Sequence, residues 1–501
     1  MKFIGIDLGT SSVKIILMDE SGEIQHSLSR SYEVSYPKAT WAEQEPEVWW
    51  NETKEGLKEL MSSISIKSDE IKGIGFSGQM HGLVLLDEEG KVLRPSILWC
   101  DQRTQEECDH LNKEIGQKKL SKCTGNMALT GFTAPKVMWV KKHEPEVFKK
   151  IAHILLPKDY IRYKLTGEFA TDVSDASGTL FFDVKNRCWS KEMQDILCIK
   201  EEWLPKVFES WEPTGKVLPE VSHYTGLSKD TVVVAGAGDQ AAGAVGTGTV
   251  SSGIISVALG TSGVVFATSD LYEVDEDNRL HSFCHSNGKY HQMGVMLSAA
   301  SSLKWWVENV NKDTSKEAFD NLLKEAEASP VGSKGVVFLP YLMGERTPHN
   351  DPNARGVFFG LNMTHERGDM TRAILEGVCF GLRDSLEILR SLNVPVEEIR
   401  VSGGGSKSLL WKSILANVFD TKVSVINSKE GPAYGAAILA SVGCGKFSSV
   451  NEACSKLIKV TEVVEQDKLQ VEEYNKFYDI FSRLYPALKE TFKLGPDPWE
   501  K

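Results

Sequence analysis

The sequence predicts an α/β fold made of two related domains around a shared central cleft. Two observations support this prediction. An apolar strand, the letters Leu-Gly-Thr-Ser and a second apolar strand occur at Leu8 and again at Leu259, half of the 501-residue chain apart. Strand-like and helical patterns also alternate along both halves. Repeat arrays have much shorter periods, so a single repeat at half length indicates a duplicated domain. We expect one domain over residues 1–246 and the other over residues 247–501.

The first half is expected to hold a three-stranded meander, an amphipathic helix, two strands, a mostly helical region and a buried strand that opens into a small-residue helix. The helix begins near Glu45-Pro46, and the buried strand is recognised by its consecutive valines. The expected positions are 2–36 for the meander, 41–63 for the amphipathic helix, 71–76 and 83–86 for the two strands, 104–204 for the mostly helical region and 231–246 for the buried strand with the helix after it.

The second half repeats the hairpin and then adds helices around further strands. A strand, a helix, a loop, a long amphipathic helix, a strand, a helix, a strand and two more helices are expected after it. The hairpin is expected at 254–266, the strands at 293–296, 398–402 and 422–426, and the loop at 338–348. The helices are expected at 298–310, 370–392, 409–418, 433–442 and 470–493.

Composition excludes several classes of protein. The formal net charge is −12 and no basic stripe is present, which argues against a nucleic-acid partner. No apolar run approaches the ~18 residues of a membrane span, and the N-terminus has no signal-peptide pattern. The nine cysteines form no CxxC pair, so neither a zinc knuckle nor a redox pair is indicated. We expect a cytoplasmic protein without a membrane partner.

The Leu-Gly-Thr-Ser turn after the first strand allows two interpretations. Its small residues let backbone N–H groups approach an anion, and Asp7 beside it could hold a cation. An ordinary hairpin with a small-residue turn would look the same. The second copy at Leu259 favours a phosphate-binding turn on each wall of the cleft.

Asp239 is the sharpest single candidate for chemistry. It follows a buried strand and opens a helix, the place where α/β proteins bind ligands, although an aspartate there also serves as a helix N-cap. The glycines before it do not form a dinucleotide fingerprint, because Ala241 stands where a third glycine is needed. A Walker A loop is excluded, since no Gly-Lys pair is followed by Ser or Thr.

Further candidates lie on loops after strands. Met80-His81 sits between glycines, and Asp101 and Arg103 follow a comparable strand end. Such polar groups suit a hydroxyl-rich ligand, although a lone histidine is often structural. The run Gly403–Ser406 would allow close approach of a flat or anionic ligand, with a plain tight turn as the alternative.

Together these segments resemble the FGGY carbohydrate kinases over nearly the whole chain. The residues that carry the resemblance are GIDLGTSSVK (5–14), GQMHG (78–82), WCDQR (99–103), GFTAPKVMW (131–139), LLPKDY (155–160), GDQAAGAVG (238–246), ALGTSG (258–263), LSAASSLKWW (297–306), FLPYLMGERTPH (338–349), GVFFGL (356–361) and SGGGS (402–406).

The resemblance implies two ribonuclease-H-like domains of the actin, hexokinase and Hsp70 kind. It implies ATP-dependent phosphorylation of a sugar, D-xylulose, with Mg²⁺, the sugar bound mainly to the first domain and ATP mainly to the second. By position, Asp239 matches the family's general base and Asp7 its carboxylate near magnesium. The expected sugar contacts are Met80, His81, Asp101, Arg103, Asp239 and Gln240. The expected nucleotide and phosphate contacts are Thr10, Ser11, Lys14, Gly260, Thr261, Gly404, Gly405 and Ser406.

Some alternatives stay open at this point. Gln240 departs from the asparagine of many family members that act on xylulose, so a sister kinase for ribulose, glycerol or gluconate is one alternative. A non-catalytic ATP switch of the actin or Hsp70 type is another, although it has no use for the 79–82 loop. The oligomeric state is not given by the sequence, and a homodimer is among the expectations.

Overall fold

A computed structural model describes residues 1–63, 66–427 and 430–494 of the chain. In the first half the strands are β1 (Lys2–Leu8), β2 (Ser12–Asp19), β3 (Ile24–Ser31), β4 (Glu43–Gln44), β5 (Ile71–Gly78), β6 (Val84–Leu86), β7 (Ser96–Ile97), β8 (His153–Leu155), β9 (Ala170–Asp172), β10 (Phe182–Asp183), β11 (Cys188–Trp189), β12 (Lys206–Phe208), β13 (Pro213–Lys216), β14 (Val232–Val234) and β15 (Ala237–Gly238). In the second half they are β16 (Gly253–Leu259), β17 (Gly263–Ser269), β18 (His281–Cys284), β19 (Tyr290–Met296), β20 (Val337–Leu339), β21 (Val357–Phe359), β22 (Val396–Ser402), β23 (Val423–Ile426) and β24 (Val460–Val464).

The helices pack on and between the sheets. They are α1 (Pro46–Ser63), α2 (Gln105–Asp109), α3 (Gln117–Thr124), α4 (Thr133–His143), α5 (Pro145–Phe148), α6 (Pro157–Thr166), α7 (Val173–Ser177), α8 (Lys191–Leu197), α9 (Pro219–Thr225), α10 (Asp239–Thr247), α11 (Ala300–Trp305), α12 (Ala318–Ala328), α13 (Arg367–Ser391), α14 (Leu409–Phe419), α15 (Gly431–Gly443), α16 (Val450–Leu457) and α17 (Lys468–Phe492).

Two seven-stranded sheets repeat one topology. The first sheet has the order β13-β14-β5-β1-β2-β3, with β15 also paired to β5, and the second has β18-β19-β17-β16-β22-β23-β24. In each, an antiparallel hairpin (β1–β2 or β16–β17) continues into parallel strands, β5 and β14 or β22 and β23. The predicted α/β fold with a duplicated domain is confirmed.

The two Leu-Gly-Thr-Ser turns close differently despite their shared letters. In the first hairpin Leu8 pairs with Val13, whereas in the second Leu259 pairs with Gly263. The second turn is therefore one residue shorter between its paired strand ends. The glycine at position 263 also lets α13 pack closely on this strand, because a Cβ there would lie 2.8 Å from the side chain of Leu382.

Helices α10 and α15 cross at the centre of the molecule. A Cβ on Gly435 of α15 would lie 1.8 Å from the carbonyl oxygen of Ala242 in α10. Helix α15 also rests on the first sheet, where a Cβ on Gly5 or Gly75 would lie 1.9 Å from a carbonyl oxygen of that helix. A helix of the second half thus shares a core with the first sheet. Both crossing helices begin at the cleft.

Most predicted elements are present, and two predictions are wrong. Residues 338–341 were expected to be a loop, but β20 pairs there with β21, because both segments carry valine and phenylalanine suited to a strand pair. The region 104–204 is less helical than expected, since short strands β8 to β11 interrupt it. The polar, turn-rich sequence between these helices hides strands of two or three residues from a periodicity argument.

Candidate active site

Asp7 lies near the carboxyl end of β1 and is fixed by its sheet neighbours. The hydroxyl of Ser77 on β5 donates a 2.8 Å hydrogen bond to Asp7 Oδ1, and Lys14 lies opposite on β2. Burial raises the pKa of Asp7 above its usual range, while the Ser77 hydrogen bond and the Lys14 charge lower it. The sheet therefore holds a carboxylate where its negative charge is only partly offset.

The turn that follows Asp7 is braced from the protein side. The hydroxyl of Thr10 donates to Gln79 Oε1 at 3.2 Å and accepts the indole N–H of Trp99 at 3.0 Å. Ser11, the next residue, is exposed. The turn is thus held in one conformation while Ser11 stays accessible to a ligand.

Lys14 reaches across to the second half of the chain. Its Nζ lies 2.7 Å from Glu430 Oε2, and Glu430 directly precedes α15. Both side chains are partly exposed, so the pair contributes little to stability by itself. Contact between Lys14 and a nucleotide stays a prediction.

Asp239 is the first residue of α10 and directly follows β15. Gly238 occupies the N-cap position, so the alternative interpretation of Asp239 as the helix N-cap is wrong. Burial raises the pKa of Asp239 to about 7, the negative charge of Asp7 adds to the rise, and hydrogen bonds from Gln240 oppose it. A carboxyl with such a pKa can accept a proton near neutral pH. The role of Asp239 and Gln240 toward a substrate stays a prediction.

Met80 and His81 form a compact corner beside this aspartate. Met80 packs against Gly238, where a Cβ would lie 2.9 Å from the sulfur. His81 Nδ1 lies 2.7 Å from the carbonyl oxygen of Gly178, so Nδ1 carries the proton and Nε2 is an acceptor. Burial lowers the pKa of His81 well below its ordinary value. The ring is therefore a neutral acceptor, a suitable partner for a hydroxyl group.

Asp101 and Arg103 are buried and bonded to each other. Arg103 Nη2 lies 2.7 Å from Asp101 Oδ2, and Arg103 Nη1 lies 2.7 Å from Glu43 Oε1. Asp101 also accepts the backbone N–H of Ala42 at 2.6 Å, and the guanidinium lies over the Trp41 ring at 3.8 Å. The pair thus braces the wall of the first half. Direct contact of either side chain with a sugar stays a prediction.

The second half contributes two loops of small residues. In the turn after β16, the carbonyls of Gly260 and Thr261 accept N–H groups of Ala300 and Ala299 at 2.8 and 3.0 Å, and the Thr261 side chain is exposed. This turn is therefore anchored to the start of α11.

The glycine run after β22 is open toward the cleft. Gly403 has φ +85, and a Cβ on it would lie 2.6 Å from the carbonyl oxygen of Leu259. A Cβ on Gly404 would meet no atom within 4 Å, whereas Gly405 is buried. The Ser406 hydroxyl donates to the Gly403 carbonyl at 2.7 Å. Backbone is thus exposed at Gly404 without a side chain in front of it.

One cavity joins the two halves. Its volume is about 770 Å³, and Asp239 and Gln240 line it together with Gly404 and Ser406. Apolar side chains also line it, namely Val264, Phe266, Val401, Val425 and Ile426. The predicted residues that lie outside its lining are Asp7, Thr10, Ser11, Lys14, Met80, His81, Asp101, Arg103, Gly260, Thr261 and Gly405.

Two residues near the site were not singled out from the sequence. Trp99 has a large apolar side chain that is nevertheless 41% exposed, and its indole N–H donates a hydrogen bond to the Thr10 hydroxyl. Lys136 is fully buried and donates to the carbonyls of His81 and Gly131 at 2.8 and 2.7 Å. Burial lowers the pKa of Lys136 to about 7. Both residues lie in segments that carry the family resemblance (99–103 and 131–139), so the resemblance was the signal that could have identified them.

The site contains no ready-made metal cage. No group of three or more His, Cys, Asp or Glu side chains is placed to hold a metal ion in the described part of the chain. Mg²⁺ needs fewer protein ligands, because it is usually held by one or two carboxylates together with substrate phosphates and water. Asp7, whose charge is felt at Asp239, fits that donor set.

A carboxyl whose pKa is raised to about 7 and an exposed glycine loop share one cavity in a duplicated α/β fold, an arrangement that suits a phosphoryl-transfer enzyme. The profile of the FGGY family of carbohydrate kinases matches with its N-terminal domain over residues 2–246 and with its C-terminal domain over residues 255–444. The chain belongs to the FGGY family of carbohydrate kinases. Membership implies ATP as the phosphoryl donor.

Close relatives are similar over their whole lengths. The chain is 40% identical to a xylulose kinase of Bacillus subtilis, over 98% of each sequence. It is 41% identical to a xylulose kinase of Escherichia coli, over 97% of this chain and 99% of the relative. The crystal structure of xylulose kinase from Rhodospirillum rubrum superposes with a TM-score of 0.93 at 31% identity, over 98% of this chain and all of that one. No helix in the described ranges is both long and apolar enough to cross a bilayer.

Proposed function

We propose that the chain transfers the γ-phosphoryl group of ATP to the terminal hydroxyl of D-xylulose, giving D-xylulose 5-phosphate and ADP. Full-length similarity to xylulose kinases supports this substrate over other polyols. The observation that supports the chemistry is the shared cavity, which Asp239 lines together with Gly404 and Ser406. An acceptor and a nucleotide can therefore meet inside it.

Asp239 is the base in this proposal. It takes the proton of the terminal hydroxyl while the hydroxyl oxygen attacks the γ-phosphorus and the bond to the ADP oxygen breaks. Base assistance of this kind is worth ~10²–10⁴-fold in rate. The pKa of about 7 supports the assignment, because the carboxylate is available at neutral pH and still basic enough to accept the proton.

The sugar-binding part of the proposal rests on the corner next to this base. Met80 supplies an apolar wall against Gly238, and the neutral His81 ring supplies an acceptor for a sugar hydroxyl. Gln240, at the cavity wall, is the remaining sugar contact. Asp101 and Arg103 are further proposed sugar contacts, and their mutual ion pair and the Ala42 backbone N–H hold them in place.

The phosphate-binding part rests on turns from both halves. In this proposal Thr10 and Ser11 of the first hairpin turn and Gly260 and Thr261 of the second bind phosphate groups. Gly404, Gly405 and Ser406 are the proposed nucleotide contacts on the loop after β22, and two of them, Gly404 and Ser406, line the cavity. Lys14, which pairs with Glu430, is the remaining proposed contact. Asp7 would hold Mg²⁺, which, when bound, neutralises charge on the transferring phosphate.

An ADP-release assay with a panel of acceptors tests the proposal. D-xylulose, D-ribulose, glycerol and gluconate are offered at equal concentrations with ATP and Mg²⁺. We expect kcat/KM for D-xylulose to exceed that for glycerol by more than about 100-fold, because sites built to bind hydroxyls reject substrates that lack them. Equal turnover of glycerol and xylulose would contradict the substrate assignment, and sugar-independent ADP release would contradict the kinase activity.

Two further expectations belong to the proposal and have separate tests. A homodimer would give a mass near twice 55.5 kDa in light scattering after size-exclusion chromatography. A cytoplasmic location would place the protein in the cytosolic fraction of its host cells.

A further inference from the structure

A group of fully buried charges lies directly behind the proposed base and sugar corner. Lys158 Nζ, at the start of α6, lies 2.7 Å from Asp159 Oδ1, 2.9 Å from Asp172 Oδ1 and 3.3 Å from Asp175 Oδ2. All four side chains have no solvent exposure. Burying charges to this extent is costly unless each one is paired, so the arrangement fixes the position of every member.

Asp172 connects the group of buried charges to Ser174 and Ser210 through hydrogen bonds. Its second oxygen, Oδ2, accepts the N–H of Ser174 at 2.8 Å and the hydroxyls of Ser174 and Ser210 at 2.6 and 2.9 Å. Asp172 thereby caps α7. The hydroxyl proton of Ser174 points to Asp172, which leaves the lone pairs of that oxygen free to accept.

Those lone pairs are used by the backbone that carries the base. The N–H of Gly238 donates to Ser174 Oγ at 3.2 Å, and Asp239 is the next residue. Gly238 is buried, so water does not replace this partner if the hydroxyl is removed. A chain of polar contacts therefore runs from Lys158 through Asp172 and Ser174 to the backbone N–H of Gly238.

The same helix touches the sugar corner. Gly178, just after α7, accepts the Nδ1–H of His81 at 2.7 Å. Ser174 and Gly178 thus place α7 between the strand end that carries Asp239 and the loop that carries His81.

We propose that Ser174 is a positioning residue for phosphoryl transfer, because its buried hydroxyl holds the backbone N–H of Gly238, the residue directly before Asp239. The inference rests on the proposed role of Asp239 as base. Asp172 and Lys158 act through Ser174 by holding its hydroxyl in one orientation.

Ser210 offers a matched control. Ser174→Ala and Ser210→Ala each remove one hydroxyl that donates to Asp172 Oδ2, and both side chains are fully buried. The only backbone N–H that donates to either hydroxyl in the described chain is that of Gly238, to Ser174. The two variants therefore remove similar contacts to the charge cluster but differ at Gly238, and also at the Ser286 hydroxyl, which lies 3.5 Å from Ser174 Oγ.

The experiment measures kcat and KM for D-xylulose, the pH dependence of kcat/KM and the melting temperature of the full-length variants. For Ser174→Ala we expect kcat to fall by about 10- to 100-fold, since a misplacement of a reacting group by about 1 Å can cost ~10²-fold in rate. KM should change less, and the acid limb of the pH profile should move. For Ser210→Ala we expect a lower melting temperature with kcat within about twofold of the parent, a difference of about 0.4 kcal/mol in barrier.

Equal kcat losses in both variants would overturn the inference, as would a Ser174→Ala enzyme with unchanged kcat and only a lower melting temperature. Asp239→Asn is measured beside them. If that variant stays active, the base assignment fails and this inference fails with it. If it is inactive while Ser174→Ala has normal kcat, only the positioning role is refuted.

Discussion

The two halves of the molecule share a strand order and differ in what stands at the ends of equivalent strands. Strand β1 carries Asp7 before its leucine, and the matching strand β16 carries Ala258. Strand β5 leads into a loop with Met80 and His81, whereas β22 leads into three glycines. The same topology therefore presents side chains on one wall and bare backbone on the other.

The helices that close each half repeat this contrast. Helix α10 begins with Asp239, and α15, its counterpart, begins with Gly431. Both residues line the same cavity. A duplicated fold thus provides two equivalent edges with different residues on them. In the proposed function, one edge recognises and activates the acceptor, and the other offers N–H groups to the nucleotide.

The largest effect is expected at the carboxylate that only the first half has. Asp239→Asn should lower kcat by ~10²–10⁴-fold, because the amide has a similar shape but cannot accept the proton. The melting temperature at pH 8 should be equal or higher. The pKa of Asp239 is raised in the folded protein, so its ionisation opposes folding as the pH rises through about 7, and Asn removes that charge. Steady-state kinetics and calorimetry check both parts, and near-normal kcat would refute the base assignment.

The buried charges of the first half predict the largest change in stability. Lys158→Met removes the cation that contacts all three buried acidic side chains, and it leaves Arg162, 3.6 Å from Asp159, as a buried cation of the group. We expect the free energy of unfolding to fall by about 3–5 kcal/mol. Lys412→Met in the second half is the control. Lys412 pairs with Glu462 at 2.5 Å, but Glu462 is 43% exposed, so about 1 kcal/mol or less is expected. Urea unfolding curves give both values, and similar losses would contradict the contrast between the halves.

The pH dependence tests how the two carboxylates of the first half interact. The pKa of Asp239 is about 7, so kcat/KM should fall about tenfold for each pH unit well below 7, as the base becomes protonated. In metal-free Asp7→Asn, the pKa of Asp239 should move to a lower value, because the Asp7 charge contributes to its raised pKa. An NMR titration of the carboxyl without Mg²⁺ measures the shift, since a cation bound at Asp7 would offset the charge. An unchanged pKa would show that the two groups are not coupled.

The smallest effect on stability and activity is expected in the glycine loop that follows β22. Gly404→Ala should leave the free energy of unfolding within about 0.5 kcal/mol of the parent, since its Cβ would meet no atom within 4 Å. The added methyl group would stand where the nucleotide approaches, so KM for ATP should rise while KM for the sugar stays unchanged.

Gly403→Ala is the contrasting variant on the same loop. It should destabilise the fold, because Gly403 has φ +85 and its Cβ would collide with the Leu259 carbonyl. An unchanged KM for ATP in Gly404→Ala would contradict the assignment of this loop to the nucleotide.

The sequence predicted the fold well because its signals are local and repeated. The two Leu-Gly-Thr-Ser hairpins and the valine run before Asp239 are each visible within about ten residues, and each forms the expected strands. The short strands β8 to β11 and β20 were missed, because two or three residues show no period.

The candidate site residues were named one by one from the sequence, and their roles stay predictions; the contacts between them were not predicted. Asp101 and Arg103 were recognised as polar residues near a strand end, yet their mutual pairing and the contact with Glu43 depend on folding segments far apart in sequence. The Ser174 contact to Gly238 joins residues 64 positions apart and leaves no pattern in the sequence. Contacts of this kind require coordinates.

The crossing of α10 and α15 has a consequence for distances in the cleft. Gly435 brings its helix against the backbone at Ala242 with no side chain between them. The spacing of the two helices is therefore set by peptide groups alone, which do not change rotamer. Asp239 and Gly431 are the first residues of these helices, so the crossing fixes the distance between the proposed base and the start of α15 on the other edge of the cavity. A methyl group at position 435 would widen that gap without touching either substrate.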